Sequence, residues 1–523
     1  MILRLLAWLT VCLASANWVS TTRLLAAEHS SESALSELNY DISWENRAGH
    51  ATRLVVTVQF SGEETGSTVV VIPSSYAGVS GFEVAVDLKE MSGATRGQET
   101  DLPDRWLLVH EPGARISLTY TVRPLTDPCF SAQTGRNPYE PCISQSRAAF
   151  IGYAVLAFPE HSKSMPVSVV LHNACESESC IGFDGILSSL DRLPAPRLGD
   201  ALNGIFLLGD FEDHTISTDA GPLSFVSSGE WGFSRNELIE RLVDVESATA
   251  AFWNEPGSGW LFALLPSVSD SDTIGGTALS GASVVFASSG QPLDEVVMTI
   301  LHERLHHWFP GRLSRLGANL SPDNDAWLVE GFTDFLTLRI AARNGLVDSE
   351  FLRNRIRELW WAYQANPLKS ASNAELAQLR RVSRDADRMP YLRGAIAAFH
   401  WDAYLKETSA GAFGMDDVLR EMRDAKLSGR PLLIRPAFIR AFEVYLARND
   451  FEEEIAQLID DGGALRLPPL IESACQIMTA PIIPIDDLKR IEETKDMEGC
   501  RKAIAGSLGG SLQNSDVAWG REA

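Results

Sequence analysis

The segment from Glu295 to Phe335 limits what this chain can become more than any other. It reads EVVMTILHERLHHWFPGRLSRLGANLSPDNDAWLVEGFTDF and contains H-E-x-x-H at His302, Glu303 and His306. Residues four apart on an α-helix stand on the same face, so both imidazoles can point at one metal ion. Glu303 lies beside them, placed to reach a water on that metal rather than the metal itself. Val296, Val297, Met298, Ile300 and Leu301 precede the motif with no helix breaker among them, as a buried helix requires. A catalytic zinc takes three protein ligands and keeps one position open. Glu330, after apolar Trp327, Leu328 and Val329, supplies the third from a second helical segment. Asp334 follows one turn later and is expected to accept the free ring N–H of a ligating histidine. Pro310-Gly311 ends the first helix, and Ser321-Pro322-Asp323 restarts structure after a loop. The bland alternative is a chance H-E-x-x-H on an amphipathic helix. Three of the ten histidines fall within six positions here and a carboxylate follows at a workable distance, which favours the metal.

Length and composition set the frame. At 523 residues the chain exceeds one compact core, and three or four domains fit it. Hydrophobic content of 45% and charged content of 22% describe a globular protein. A net charge of −24 argues against nucleic acid, because phosphate binding needs the opposite sign. Residues 1–27 read as a signal peptide: Arg4, an apolar run from Leu5 to Leu13, then Ala14-Ser15-Ala16 as a cleavage signal, with Ala26-Ala27 as a second. That run is too short for a stable membrane anchor, and no later segment has a long uncharged apolar run. Export is expected, to periplasm or extracellular medium. Cys12 would leave with the signal. The remaining six cysteines form local pairs, so Cys129–Cys142, Cys175–Cys180 and Cys475–Cys500 disulfides are expected, although six cysteines allow 15 connectivities.

Along the chain, the fold class reads as α+β and multidomain. Short β-branched runs at Leu54–Val58, Val69–Ile72, Trp106–Val109, Ile116–Val122, Ala149–Phe158 and Val167–Leu171 place a β-sandwich-like domain over 28–225. It carries no chemical motif. Ser234-Arg235-Asn236-Glu237 is a capping box opening a helix to about Trp253. Trp260–Leu265 and Ser283–Ala287 read as strands, with a glycine-rich turn at Gly275-Gly276-Thr277 between them. Ser283–Ala287 lies either on the rim of the cleft, where an extended peptide could pair with it, or inside the sheet. A catalytic domain over 226–345 is followed by a helical domain over 346–450. A C-terminal extension over 451–523 ends in a polar, disordered tail.

The central motifs resemble those of the gluzincin zinc metallopeptidases. The glycyl aminopeptidase family is marked by H-E-x-x-H-x-W and E-G-F, here His302, Glu303, His306, Trp308 and Glu330-Gly331-Phe332. The related aminopeptidase N family shares W-L-x-E-G-F and a later P-Y-x-x-G, here Trp327 to Phe332 and Pro390-Tyr391-Leu392-Arg393-Gly394. The resemblance spans roughly 230–405 and implies a thermolysin-like catalytic domain with zinc on His302, His306 and Glu330. It implies Glu303 as general base and the Tyr391 hydroxyl as a partner of the oxyanion. Asp334 matches the aspartate that orients a zinc-bound histidine in thermolysin-like enzymes. The segment that holds the free amine in the exopeptidases corresponds to Gly275–Gly281, which has no carboxylate. The expected function is hydrolysis of a peptide or protein substrate, by exo- or endopeptidase action. A catalytically inactive peptide-binding protein and a zinc hydrolase of a non-peptide substrate are the alternatives. Oligomeric state is not legible.

Overall fold

The structure, a computed structural model, describes residues 37–45, 52–76, 79–97, 102–125, 139–172, 181–184, 197–209, 211–219, 221–255, 259–267, 274–312, 324–380, 382–428, 433–446, 449–476 and 497–506. The expected signal peptide, Cys129, Cys175, Cys180, the Ser321-Pro322-Asp323 restart and the polar tail lie outside these residues.

The fold is α+β, with four main sheets followed by helices. A five-stranded sheet, in spatial order 167–172, 38–45, 53–61, 115–122 and 86–92, comes first. It shares a core with a four-stranded sheet built around Ser67–Val71 and Arg105–Val109. Strict alternation drives this: Leu54, Val56, Val58 and Phe60 are buried while their neighbours are partly exposed.

A third sheet, centred on Arg147–Ile151 and Ile205–Gly209, is apolar on every residue from Ile205 to Leu208 because both of its faces are covered. Phe150, Phe206 and Leu208 point into the first core. Ile151, Ile205 and Leu207 point the other way, against Leu261, Ala263, Val284 and Phe286 of the next sheet. That next sheet runs in spatial order 212–218, 221–227, 260–266, 282–287 and 274–279. Its opposite face, with Phe225, Phe262, Leu264 and Val285, packs on helices. The site is built on this helical side.

The structure decides between two sequence readings and changes a third. Ser283–Ala287 belongs to the interior strand Ala282–Ala287, and the free edge is Ile274–Leu279. Gly275-Gly276-Thr277 is therefore part of an edge strand and not a turn, since antiparallel pairing to 282–287 satisfies one side of its backbone. The boundary expected after residue 225 falls inside strand Gly221–Ser227, which pairs in parallel with Trp260–Pro266. One apolar cluster runs from Leu223 to Ala505.

Helix Arg235–Trp253 opens on the expected capping box, Ser234 Oγ accepting from Glu237 N at 3.2 Å. Phe332–Asn344, Ser349–Ala365 and Arg384–Thr408 follow the histidine helix Leu293–His306. Helix Met497–Ala505 is tied back by the Cys475–Cys500 disulfide. Cys142 is also disulfide-bonded. Among the described residues, no helix is long and apolar enough to cross a membrane.

Candidate metal centre

The histidine helix is fixed from behind. Arg304, buried, gives Glu246 of helix Arg235–Trp253 two hydrogen bonds of 2.7 and 2.9 Å, and its guanidinium lies 4.1 Å from the Trp260 ring centre. Trp308 stacks on Trp253 at 5.6 Å. With that side buried, His302 and His306 face the opposite direction, towards Glu330.

Glu330 comes from a wide π-type turn over Trp327–Gly331 that leads into helix Phe332–Asn344. Such turns recur at functional sites, because the extra residue redirects side chains. This segment crosses helix Arg384–Thr408 at two glycines, where a Cβ on Gly331 would lie 2.3 Å from the Gly394 Cα. Backbone thus meets backbone, bringing Glu330 and Tyr391 to one place. Tyr391 sits in the second turn of its helix, which begins at Arg384 and is capped by Ser383. Its ring centre is 6.1 Å from that of His302.

One ligand atom from each of His302, His306 and Glu330 lies within 4.8 Å of the others. His302 Nε2 and His306 Nε2 are 3.0 Å apart, and Glu330 Oε2 lies 3.6 and 3.2 Å from them. The second nitrogen of each ring is engaged. His302 Nδ1 lies 2.8 Å from Asp334 Oδ1, and His306 Nδ1 lies 3.1 Å from the Phe309 carbonyl oxygen. Both partners only accept, so each neutral ring carries its proton on Nδ1 and presents a bare lone pair on Nε2. Two lone pairs and a carboxylate oxygen then face one another, a repulsive arrangement unless a cation joins them. The donor set fits a divalent ion of the zinc class. The three side chains are 13%, 14% and 19% exposed, which leaves room for a further ligand from solvent.

Without an ion, protons answer the same convergence. Burial opposes a charged His302, but Asp334 and Glu330 outweigh it and raise its pKa. Burial likewise opposes charge on His306, and Glu330 reverses the sign. Burial pushes the Glu330 carboxyl up, yet the two imidazoles hold it well below the usual carboxylate range. Glu303 differs: burial pushes it above the ordinary value despite His302 and His306. A carboxyl whose pKa is raised is a better base for taking a proton from water. Burial also raises the Tyr391 hydroxyl well above its ordinary value, and Glu330 adds to this, so it stays a donor.

Sequence reasoning missed two groups. A Cβ on Gly276 would lie 2.5 Å from Glu303 Cγ, so the edge strand presses on Glu303 and admits only glycine there. Tyr76 and Tyr139 come from the N-terminal β region, Tyr76 bonding Thr277 Oγ1 at 3.1 Å and Tyr139 donating to the Gly276 carbonyl oxygen at 3.1 Å. Neither tyrosine lies in a local motif, and only a contact across more than a hundred residues reveals them.

No family model matches the sequence, and no curated protein matches it. Solved structures do match. An aminopeptidase N family protein from Idiomarina loihiensis aligns with TM-score 0.66 at 15% identity, covering 82% of this chain and 77% of that one. An M1 zinc metallopeptidase from Deinococcus radiodurans aligns with TM-score 0.51 at 15% identity, covering 83% and 94%. At this identity the likeness establishes a shared fold with these two proteins and nothing finer.

Proposed function

We propose that this chain, which shares the fold of those metallopeptidases, is a zinc-dependent peptidase that hydrolyses peptide bonds. The observation that carries the reading is the convergence of His302 Nε2, His306 Nε2 and Glu330 Oε2, with the raised carboxyl of Glu303 beside it. His302, His306 and Glu330 would hold the zinc, which when bound polarises a carbonyl and acidifies water. Glu303 takes the water's proton as general base and delivers it to the leaving amine. Tyr391 gives its hydroxyl hydrogen to the oxygen that gains charge at the attacked carbon. Asp334 keeps His302 in the tautomer that leaves Nε2 bare, and the Phe309 carbonyl does so for His306. In this reading the sheet 212–287 with the helices to 344 is a thermolysin-like catalytic unit, and the edge strand 274–279 borders the substrate.

Export to an oxidising compartment is part of the proposal, supported by the disulfide between buried Cys475 and Cys500. The test uses the full chain and a quenched-fluorescence peptide library. Wild type should cleave it, lose activity to a chelator and recover it with zinc. Glu303→Gln should keep one zinc per chain and lose turnover. Undiminished turnover by that variant would refute the role of Glu303.

A further inference from the structure

The edge strand bears on how long a substrate the cleft accepts. The hairpin closes at the Leu279–Ala282 pair, and antiparallel pairs alternate between bonded and non-bonded. Gly276, opposite Val285, therefore turns its N–H and C=O away from the sheet. These are the groups an extended peptide would bond if it added to the edge beside Glu303. One of them is engaged: Tyr139 donates its hydroxyl to the Gly276 carbonyl oxygen at 3.1 Å. The ring is braced for this, edge-on to Phe286 at 5.9 Å and to Tyr76 at 5.5 Å. Burial, with Glu303 next, pushes the Tyr139 pKa up, so the phenol remains a donor throughout the physiological range.

We infer that Tyr139 is a specificity-determining residue, its hydroxyl standing in for a substrate amide N–H at Gly276. A peptide long enough to lay a residue along Gly276 must displace it, and a shorter one need not. The N-terminal β region thereby handicaps extended substrates. Resting on the peptidase reading, the idea is tested by binding as well as turnover. In the zinc-loaded Glu303→Gln protein, dissociation constants are measured for a fluorescent dipeptide and for octapeptides extended towards either terminus.

Tyr139→Phe keeps the ring and removes the hydroxyl. It should raise the affinity ratio of one octapeptide series to the dipeptide by about three- to tenfold, the range of one net hydrogen bond. Tyr76→Phe, which loses hydrogen bonds to the Thr277 and Asn203 side chains and none to the main chain of the edge strand, should leave that ratio unchanged. A ratio that stays put or falls in Tyr139→Phe overturns the assignment. Peptide turnover by wild type together with that null result leaves the peptidase reading standing. Binding that shifts as expected, with no turnover by wild type, removes the peptidase reading and keeps Tyr139.

Discussion

The crossing of Gly331 and Gly394 yields the sharpest prediction. Gly331 has an ordinary helical φ of −68°, so conformational freedom does not explain it; proximity does. A Cβ on Gly394 would sit 1.8 Å from the Trp327 carbonyl oxygen and 2.9 Å from the Gly331 Cα. Ordinary contact between non-bonded heavy atoms is about 3.5 Å, so Gly394→Ala must part the two segments by roughly 1.7 Å. No flexible side chain can absorb this, because both obstacles are backbone. Overpacking of this kind costs about 1–3 kcal/mol. The larger effect falls on the site, since Glu330 adjoins one glycine and Tyr391 precedes the other by three residues. A misplacement of about 1 Å lowers turnover by about 100-fold. The assay pairs a denaturant midpoint with zinc content and kcat/KM on one peptide. The expected result is a folded, modestly weakened protein with a large catalytic defect. Wild-type kcat/KM in Gly394→Ala would refute the argument, showing that the helices do not need backbone contact to align Glu330 with Tyr391.

Further outcomes follow from the same geometry. Tyr391→Phe should lower kcat by about 100-fold with zinc content intact, as loss of one oxyanion donor does; an unchanged kcat removes Tyr391 from the mechanism. Asp334→Ala should weaken zinc by about 10- to 100-fold in a competition with a chelating dye, through loss of the 2.8 Å contact to His302 Nδ1. Acid should destabilise the helical region. Burial pushes the Asp402 carboxyl up, but Arg339, bonded at 2.8 Å, outweighs burial and holds it well below the ordinary value of 3.8. Asp416, also paired with Arg339, shifts the same way. A lowered folded pKa means that the unfolded chain binds more protons in acid. This stability is therefore complete above the ordinary value and disappears as pH falls below it. Denaturant midpoints between pH 6 and pH 2 should drop steeply, and Asp402→Asn should flatten that slope.

Much of the site was legible because its information is local. The i, i+4 spacing of His302 and His306 puts two imidazoles on one helical face whatever the rest of the chain does. Asp334 could be paired with a ligating histidine for the same reason. Trp260–Leu265 and helix Arg235–Trp253 were readable from an apolar run and a capping box. The strand Ala282–Ala287 was ambiguous, because a continuous apolar run does not say which neighbour covers which side. The edge strand was misread as a turn because Gly275-Gly276 suggests a bend. Its glycine serves instead to let Glu303 approach, which no local pattern encodes.

The amino-acid order alone determined that His302 and His306 stand on one helical face, because side-chain spacing on a helix follows from backbone geometry. Packing decided everything that joins distant segments: the glycine crossing that aligns Glu330 with Tyr391, the inner position of Ala282–Ala287, and the reach of Tyr139 to Gly276. Those contacts span tens to hundreds of residues. They exist only once the sheets have stacked and their shared cores have excluded water.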